Sequence, residues 1–393
     1  MKHEISEIFE SFLGQVCSRC IYDESVDGIS FDNAGVCNYC RLIEDLIAEY
    51  GTGTLEGEEK FQKIVARIKK SGKRKRYDCV VGISGGTDSS YLLVLCKIWG
   101  LRPLAVHYDN TWNSAAATLN IAKMLKSLDV DLYTHVVNNS EMDDIFKSFF
   151  YAGVAEIEGP TDLAMSEVIY RAAFKYRIKY VLEGHSFMTE GVTPLGRNYF
   201  DGRYIQKIHE QFGTQKMSTY PLMTLSRFLK WVAIVRIRKI RPLWYLDYSK
   251  ERAIEVLQRD YGWEYYGGHH LENRMSAFYH TIYAPQKFGT DFRNNTLSAL
   301  VRAGSLSREA ASEIYLRGPN PDPNLKDYFL KRMKMAESEF DRIMSEPPKH
   351  WRDYPNYKKI FERLAPFFFI LAKTELVPMS FYLKYCVRNR GPK

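Results

Sequence analysis

Two hydrophobic periods alternate through the middle of the chain. Short apolar runs at Tyr77 to Ile83, Leu104 to Tyr108, Asp131 to Val137 and Tyr180 to Leu182 fit strands buried on both faces. Between them apolar residues recur at helical spacing. Leu92, Leu93, Leu95, Cys96 and Trp99 mark a helix that starts at Asp88 or Ser89 and stops at Gly100. Ala115 to Leu128 marks the next, and Leu163 to Tyr176 another, capped by Thr161 or Asp162. Strands alternating with helices predict an α/β unit whose parallel sheet carries helices on both faces.

The flanks read differently. Glu44 to Tyr50 and Glu58 to Lys70 are predicted helices, the second with Phe61, Ile64, Val65 and Ile68 on one side; Gly51 to Gly57 separates them. Beyond the strands, Asn198 to Gln211 reads as a polar loop, Leu225 to Lys239 as a helical pattern and Arg241 to Leu243 as the start of an extended piece. Lys250 to Tyr261 is a predicted helix, and 296–345 reads as helices turning at Pro319, Pro321 and Pro323. The predicted units are 1–50, a helical linker 51–76, the α/β domain 77–245 and a mainly helical region 246–393. Pro366 to Ala372 is the longest strongly apolar run, far short of the roughly twenty residues that span a bilayer, so no membrane span is expected. Its continuity predicts that most of it is covered, inside the protein or by a partner.

Charge changes the picture little. The formal net charge of +8 suits an anionic partner without choosing one. The densest basic run, Lys69 to Arg76, is either a solvated linker or a rim of positive charge near a phosphate substrate. Met1 to Gln15 is amphipathic and acidic, unlike a signal peptide, and the expected location is the cytoplasm.

Cysteine usage is more specific. Four of the seven cysteines form two C-x-x-C knuckles, Cys17 with Cys20 and Cys37 with Cys40, sixteen residues apart. Four thiolates complete a tetrahedron, so a zinc ion held there staples a ribbon and has no open position for catalysis.

The strand ends carry the chemistry. Ser84, Gly85, Gly86, Thr87, Asp88 and Ser89 lie between a strand and a helix. Glycines admit close backbone approach, and a helix N-terminus favours negative charge, so this turn is an anion site. It holds no lysine, and no G-x-x-x-x-G-K-[ST] occurs in the chain. Asp109 and Gly184 end two further strands, where open parallel sheets bind ligands. The Ser-Gly-Gly-x-Asp-Ser pattern resembles the PP-loop of the ATP pyrophosphatases, which implies a Rossmann-like fold of the HUP type. There the loop holds the β- and γ-phosphates as a leaving group while attack falls on the α-phosphate. Asp88 is a candidate ligand for Mg²⁺.

A narrower resemblance is carried by Cys17 to Cys40 with its interior Phe31 to Val36, by Val81 to Ser90, by Asp109 to Asn113, and by Gly262 to Arg274 followed by Pro285 to Gly289. On these stretches the chain is similar to the N-acetyl-sugar amidotransferases of bacterial surface-polysaccharide (lipopolysaccharide O-antigen) synthesis. After Phe288 to Asp291 it departs from that family: Phe292 precedes Arg293, and no histidine occurs in 294–298, which bears on the sugar more than on the reaction. The resemblance implies a cytoplasmic ATP-dependent ligase that converts an acetamido group of a nucleotide sugar to an acetamidino group. It also implies ammonia from a separate glutaminase, similar to that of imidazole glycerol phosphate synthase, with a cyclase-like companion. Cys79, Cys96 and Cys386 lack the setting of a glutaminase nucleophile. His185, His270 and Glu190 join Asp88 as catalytic candidates; His269, His270, Glu272 and Arg274 are candidates for the sugar, Arg274 through its planar fork. Trp263, Tyr265 and Tyr266 suit core packing and sugar stacking equally. Two other readings are a tRNA-modifying or thiolating adenylase and a non-catalytic nucleotide-binding protein; the amidotransferase reading expects no nucleic acid.

Overall fold

The computed structural model describes residues 14–192, 198–267 and 271–387. His269 and His270, and most of the segment Met1 to Gln15, lie outside the described residues.

Helices α1 (Asn38–Tyr50) and α2 (Leu55–Gly72) lead into a unit in which strands and helices alternate: β1 (Cys79–Gly82), α3 (Thr87–Ile98), β2 (Pro103–Asp109), α4 (Ala115–Leu128), β3 (Leu132–Val136), α5 (Asn139–Ala152), α6 (Gly159–Lys175) and β4 (Tyr180–Leu182). There follow α7 (Phe187–Glu190), α8 (Gly202–Phe212), β5 (Arg238–Ile240) and α9 (Lys250–Tyr261). The five strands form one sheet in the order β3-β2-β1-β4-β5, with every neighbouring pair parallel. Chain order reverses between β1 and β4, which opens a crevice at their carboxyl ends. Val80 and Val181 belong to an apolar core on one face of the sheet, with residues of α5 and α6; Val81 and Leu182 belong to a second core on the other, with residues of α2, α3, α4 and α9. The first core runs on without a break into residues 275–386.

Two predicted elements need correction, and one helix was not predicted. Leu225 to Lys239 is not one helix: a short helix, Leu225–Leu229, and a wide turn, Lys230–Ile234, give way to β5. With only three residues, two of them basic, β5 has no apolar run. Its pairing places Lys239 within 2.7 Å of Glu183 at the end of β4, which compensates the buried charge. Asn198 to Gln211 is not a loop, because Asp201 caps α8 and Tyr204, Ile205 and Ile208 bury one side of it. Helix α5, capped by Asn138, was not among the predicted elements. The apolar run lies in the helix Ala365–Lys373, whose Phe368, Leu371 and Ala372 are buried while Phe367, Phe369 and Ile370 are exposed, so it is covered on one side only.

The basic run sits at the amino ends of the strands. Arg76 pairs with Asp131 before β3, Lys75 donates to the Arg177 carbonyl before β4, and Arg102 before β2 bonds Asp78 and the Lys75 carbonyl. This is the edge opposite the phosphate loop, so the run does not form a rim around it.

Candidate active site

The loop after β1 is shaped by close contacts. Gly85 has φ +83°, and a Cβ there would fall 2.3 Å from the Ala117 carbonyl oxygen, so both backbone conformation and space require glycine. Gly86 stands at the N-cap of α3 with no side-chain capping bond. The predicted cap by Asp88 or Ser89 is therefore corrected, since both lie within the first turn. Ser89 Oγ instead accepts from Ser84 N at 3.3 Å and donates to the Gly86 carbonyl at 3.2 Å, which closes the loop on itself. Gly184, after β4, packs on this turn: a Cβ there would lie 3.0 Å from the Asp88 carbonyl.

The loop's donors fit an anion. Gly86 N reaches Ser84 Oγ at 3.2 Å and Thr87 N reaches the Tyr266 hydroxyl at 3.4 Å, both long bonds to neutral oxygens. The Thr87 hydroxyl is buried and makes no hydrogen bond among the described residues. Phosphate oxygens would replace these contacts by shorter, charge-assisted ones.

Asp88 leaves the loop for a charge cluster. Its carboxylate accepts from the Tyr248 hydroxyl, and the Lys250 ammonium lies 3.3 Å from it. Burial pushes the Asp88 carboxyl up, but the Lys250 charge and the hydrogen bonds from Tyr248 and Lys250 hold it below the usual carboxylate range. Burial works against the charge on Lys250, and the carboxylates of Asp88, Glu190 and Glu272 more than restore it. Three carboxylates thus face one ammonium beside a phosphate loop, an oxygen-rich and net negative setting that suits a hard divalent cation such as Mg²⁺, with Asp88 as the predicted ligand.

His185 stands at the edge of this cluster. Its Nδ1 accepts from the Trp244 indole N–H at 3.1 Å, so the neutral ring carries its proton on Nε2, 3.7 Å from Glu190. Arg241 covers the Trp244 ring at 5.0 Å and pairs with Glu183.

The segment around Glu272 lies against the loop rather than apart from it. A Cβ on Gly86 would meet the Glu272 carboxylate and the Tyr266 hydroxyl at 3.1 Å each. Trp263 is buried and its indole N–H donates to the Gly85 carbonyl at 3.0 Å. Ser114 N donates to the Glu272 carbonyl, and Asn273 bonds Asn110 and Asn113 beyond β2. Arg274 stacks on Tyr328 at 4.4 Å while its backbone N–H bonds the Trp112 carbonyl. Asp109 accepts from Thr111 N, which fixes its own turn. The fold therefore gathers Ser84 to Ser89, Gly184, His185, Glu190 and Glu272 around one crevice. Tyr248, Lys250, Trp263 and Tyr266 join them without having been predicted in that role. Lys250 opens a helix after a capping serine, and that position looks like any solvated first turn.

At the other end of the chain the four knuckle sulfurs lie within 4.8 Å of one another, and Cys17 Sγ to Cys40 Sγ and Cys20 Sγ to Cys37 Sγ are 3.9 Å. Zinc–sulfur bonds of about 2.3 Å place tetrahedral sulfurs roughly 3.8 Å apart, so the set fits a zinc ion. Arg302 approaches Cys40 Sγ and covers Tyr22 at 5.2 Å, a cation against a thiolate cluster. Arg308 bonds the Cys17 and Cys20 carbonyls at 3.1 Å. The unit thus docks on 293–316.

Comparison with known proteins covers both halves. Residues 272–365 match the model of the C-terminal domain of WbpG-like LPS biosynthesis proteins. An uncharacterized protein of Methanocaldococcus jannaschii is 24% identical over 302 residues, 76% of this chain and 91% of that one. NMN synthetase from Francisella tularensis aligns with 14% identity and a TM-score of 0.31, over 72% of this chain and 95% of that one. The U34-tRNA thiolase NcsA from Methanococcus maripaludis, solved with its 4Fe–4S cluster, aligns with 13% identity and a TM-score of 0.30, over 84% and 89%. Residues 272–365 are thus similar to the C-terminal domain of WbpG-like LPS biosynthesis proteins, and the Ser-Gly-Gly-Thr-Asp-Ser loop stands at the switch point of a five-stranded parallel sheet.

Proposed function

We propose that the chain is an ATP-dependent C–N ligase acting on the acetamido group of a nucleotide-linked N-acetyl sugar. The observation that carries this reading is a lysine-free phosphate loop facing the Asp88–Lys250–Glu190–Glu272 cluster, beside a domain of the WbpG-like family. An acetamide is a poor electrophile because resonance occupies its carbonyl. Its oxygen attacks the α-phosphorus of ATP, the α–β bridging P–O bond breaks, and pyrophosphate leaves. Ammonia then adds to the activated carbon, the C–O bond to AMP breaks, and the nitrogen loses a proton to leave an acetamidine. The loop N–H groups hold the departing phosphates, and Lys250 offers the charge that the loop lacks. Asp88 would hold Mg²⁺, which would supply neutralising charge to the phosphates. The Glu190 carboxylate, which His185 Nε2–H faces, receives the proton released as ammonia adds.

Ammonia comes from a separate glutaminase with its cyclase-like companion. All seven cysteines are buried, four in the knuckles. The Cys79 thiol is pushed up by its neighbour Cys96 and by burial, the reverse of an activated nucleophile. The same burial speaks against tRNA thiolation through Cys79 and Cys96.

The test is ATP–pyrophosphate exchange with UDP-linked N-acetyl sugars and, in parallel, with bulk tRNA, followed by ³¹P NMR of the products. Sugar-dependent exchange and formation of AMP with pyrophosphate are expected. Exchange driven by tRNA, or ADP and orthophosphate as sole products, would overturn the reading.

A further inference from the structure

A cavity of about 220 Å³ lies away from the phosphate loop, between the turn Ser25 to Asp27 of the four-cysteine unit and the turn Phe288 to Asn295. We propose that it takes the single ring of an N-acetylated sugar, so that the four-cysteine unit shapes a substrate site. This rests on the amino-sugar reading above.

The size argues for one ring. Pockets that enclose whole drug-sized ligands run to roughly 300–1,000 Å³, and an entire nucleotide sugar does not fit in less. Charge argues against a phosphate: among the described residues the lining holds no lysine or arginine. The polar groups it offers are amides, hydroxyls and carboxylates, set beside aromatic rings, and these match a ring with hydroxyls on its edge and C–H groups on its face. Asp291 is neutralised by Arg293, with Nη2 at 2.6 Å and Nε at 3.0 Å, so it presents acceptor oxygens without net charge. The ring of Phe292 is held by Tyr279 at 5.3 Å and His280 at 5.0 Å, and the Tyr279 hydroxyl bonds Asn198.

The four-cysteine unit sets two of these walls. Asp23 accepts from the side-chain amide of Asn294 at 3.2 Å, and the Tyr22 hydroxyl donates to Asn295 at 2.7 Å. Tyr22 and Asp23 both sit within three residues of Cys20, so stapling the knuckles fixes two cavity amides. The cavity wall also packs against the segment that lines the crevice. A Cβ on Gly191, next to Glu190, would lie 3.2 Å from the Asn295 carbonyl. One layer of backbone therefore separates the cavity wall from the segment that reaches Asp88.

Ser25 is exposed at the cavity wall, so Ser25→Trp can fill the space without disturbing a core. The probes are free N-acetylhexosamines and N-acetylhexosaminuronates, and the same sugars linked to UDP. Saturation-transfer NMR on the full chain should detect the free sugars with the wild type and should weaken at least tenfold with Ser25→Trp and with Asn198→Ala. In the exchange assay Ser25→Trp should raise the KM for the UDP-sugar at least tenfold and leave the KM for ATP unchanged. No sugar of the panel bound by the wild type, or binding and KM unchanged in Ser25→Trp, would overturn the proposal. Sugar binding that the variant weakens, without sugar-dependent exchange, supports the cavity and removes the reaction. Sugar-dependent exchange that the variant does not alter removes the cavity and leaves the reaction.

Discussion

The decisive residue contacts join Asp88 to side chains far along the chain. Lys250 is the cation that keeps the Asp88 carboxyl low while three carboxylates crowd it. Lys250→Met should therefore do two things. Loss of one charged hydrogen bond costs on the order of 1.5–3 kcal/mol, so the exchange rate should fall roughly ten- to a hundredfold. With its cation gone, Asp88 should also need a higher pH to ionise, and the acid limb of the pH–rate profile should move upward. A steady-state profile of wild type and variant between pH 5 and 9 reads both; an unmoved acid limb would separate Lys250 from Asp88. Thr87→Val makes a sharper test of the phosphate loop. Its hydroxyl makes no hydrogen bond among the described residues, so removal should cost little stability, while the KM for ATP should rise several-fold. The loop was legible from its residues because strand, glycines and helix start are contiguous. Lys250 and Tyr248 were not, because they reach the site only after β5 has been laid beside β4.

Among the elements, β5 decides how the crevice closes, and it is held there by charge. Glu183, at the end of β4, pairs with Lys239 at 2.7 Å and with Arg241 at 3.2 Å. Burial raises its carboxyl, but the two cations outweigh this and bring it down to about 2. A carboxylate lowered in the folded state stabilises fully above its unfolded value near 4.5, and that contribution is lost as pH falls from about 4.5 toward 2. Glu183→Gln should cost on the order of 3 kcal/mol at pH 7, because two cations lose their partner. The gap from the wild type should close at lower pH. Urea unfolding at pH 7, 5 and 3.5 measures it, and a gap independent of pH would mean that the pair contributes nothing through charge. The predicted strands β1 to β4 were legible because buried parallel strands are apolar throughout. A strand of Arg, Lys and Ile has no such pattern, and only its partner on β4 explains it.

Across the whole molecule the four-cysteine unit and the C-terminal helices form one assembly over the sheet. Arg302 and Arg308 tie the knuckles to 293–316, and Arg302 also lies beside Gly191, next to Glu190. Metal analysis should find about one zinc, and no iron, per chain. Cys37→Ser, or removal of the metal by a chelator, should lower the melting temperature and raise the proteolysis of 293–316 before that of the sheet; a chain without metal and with unchanged protection would contradict a structural ion. The sequence by itself determined the alternating elements, the phosphate loop and the paired knuckles, because each is written in contiguous residues whose geometry is local. Only the tertiary structure decided that Glu272 and Lys250 face that loop, that the basic run sits at the far end of the sheet, and that the knuckles border a cavity. These follow from strand order and helix packing, which bring together residues as far apart in sequence as Tyr22 and Asn295 or Cys17 and Arg308, and no local pattern encodes such a distance.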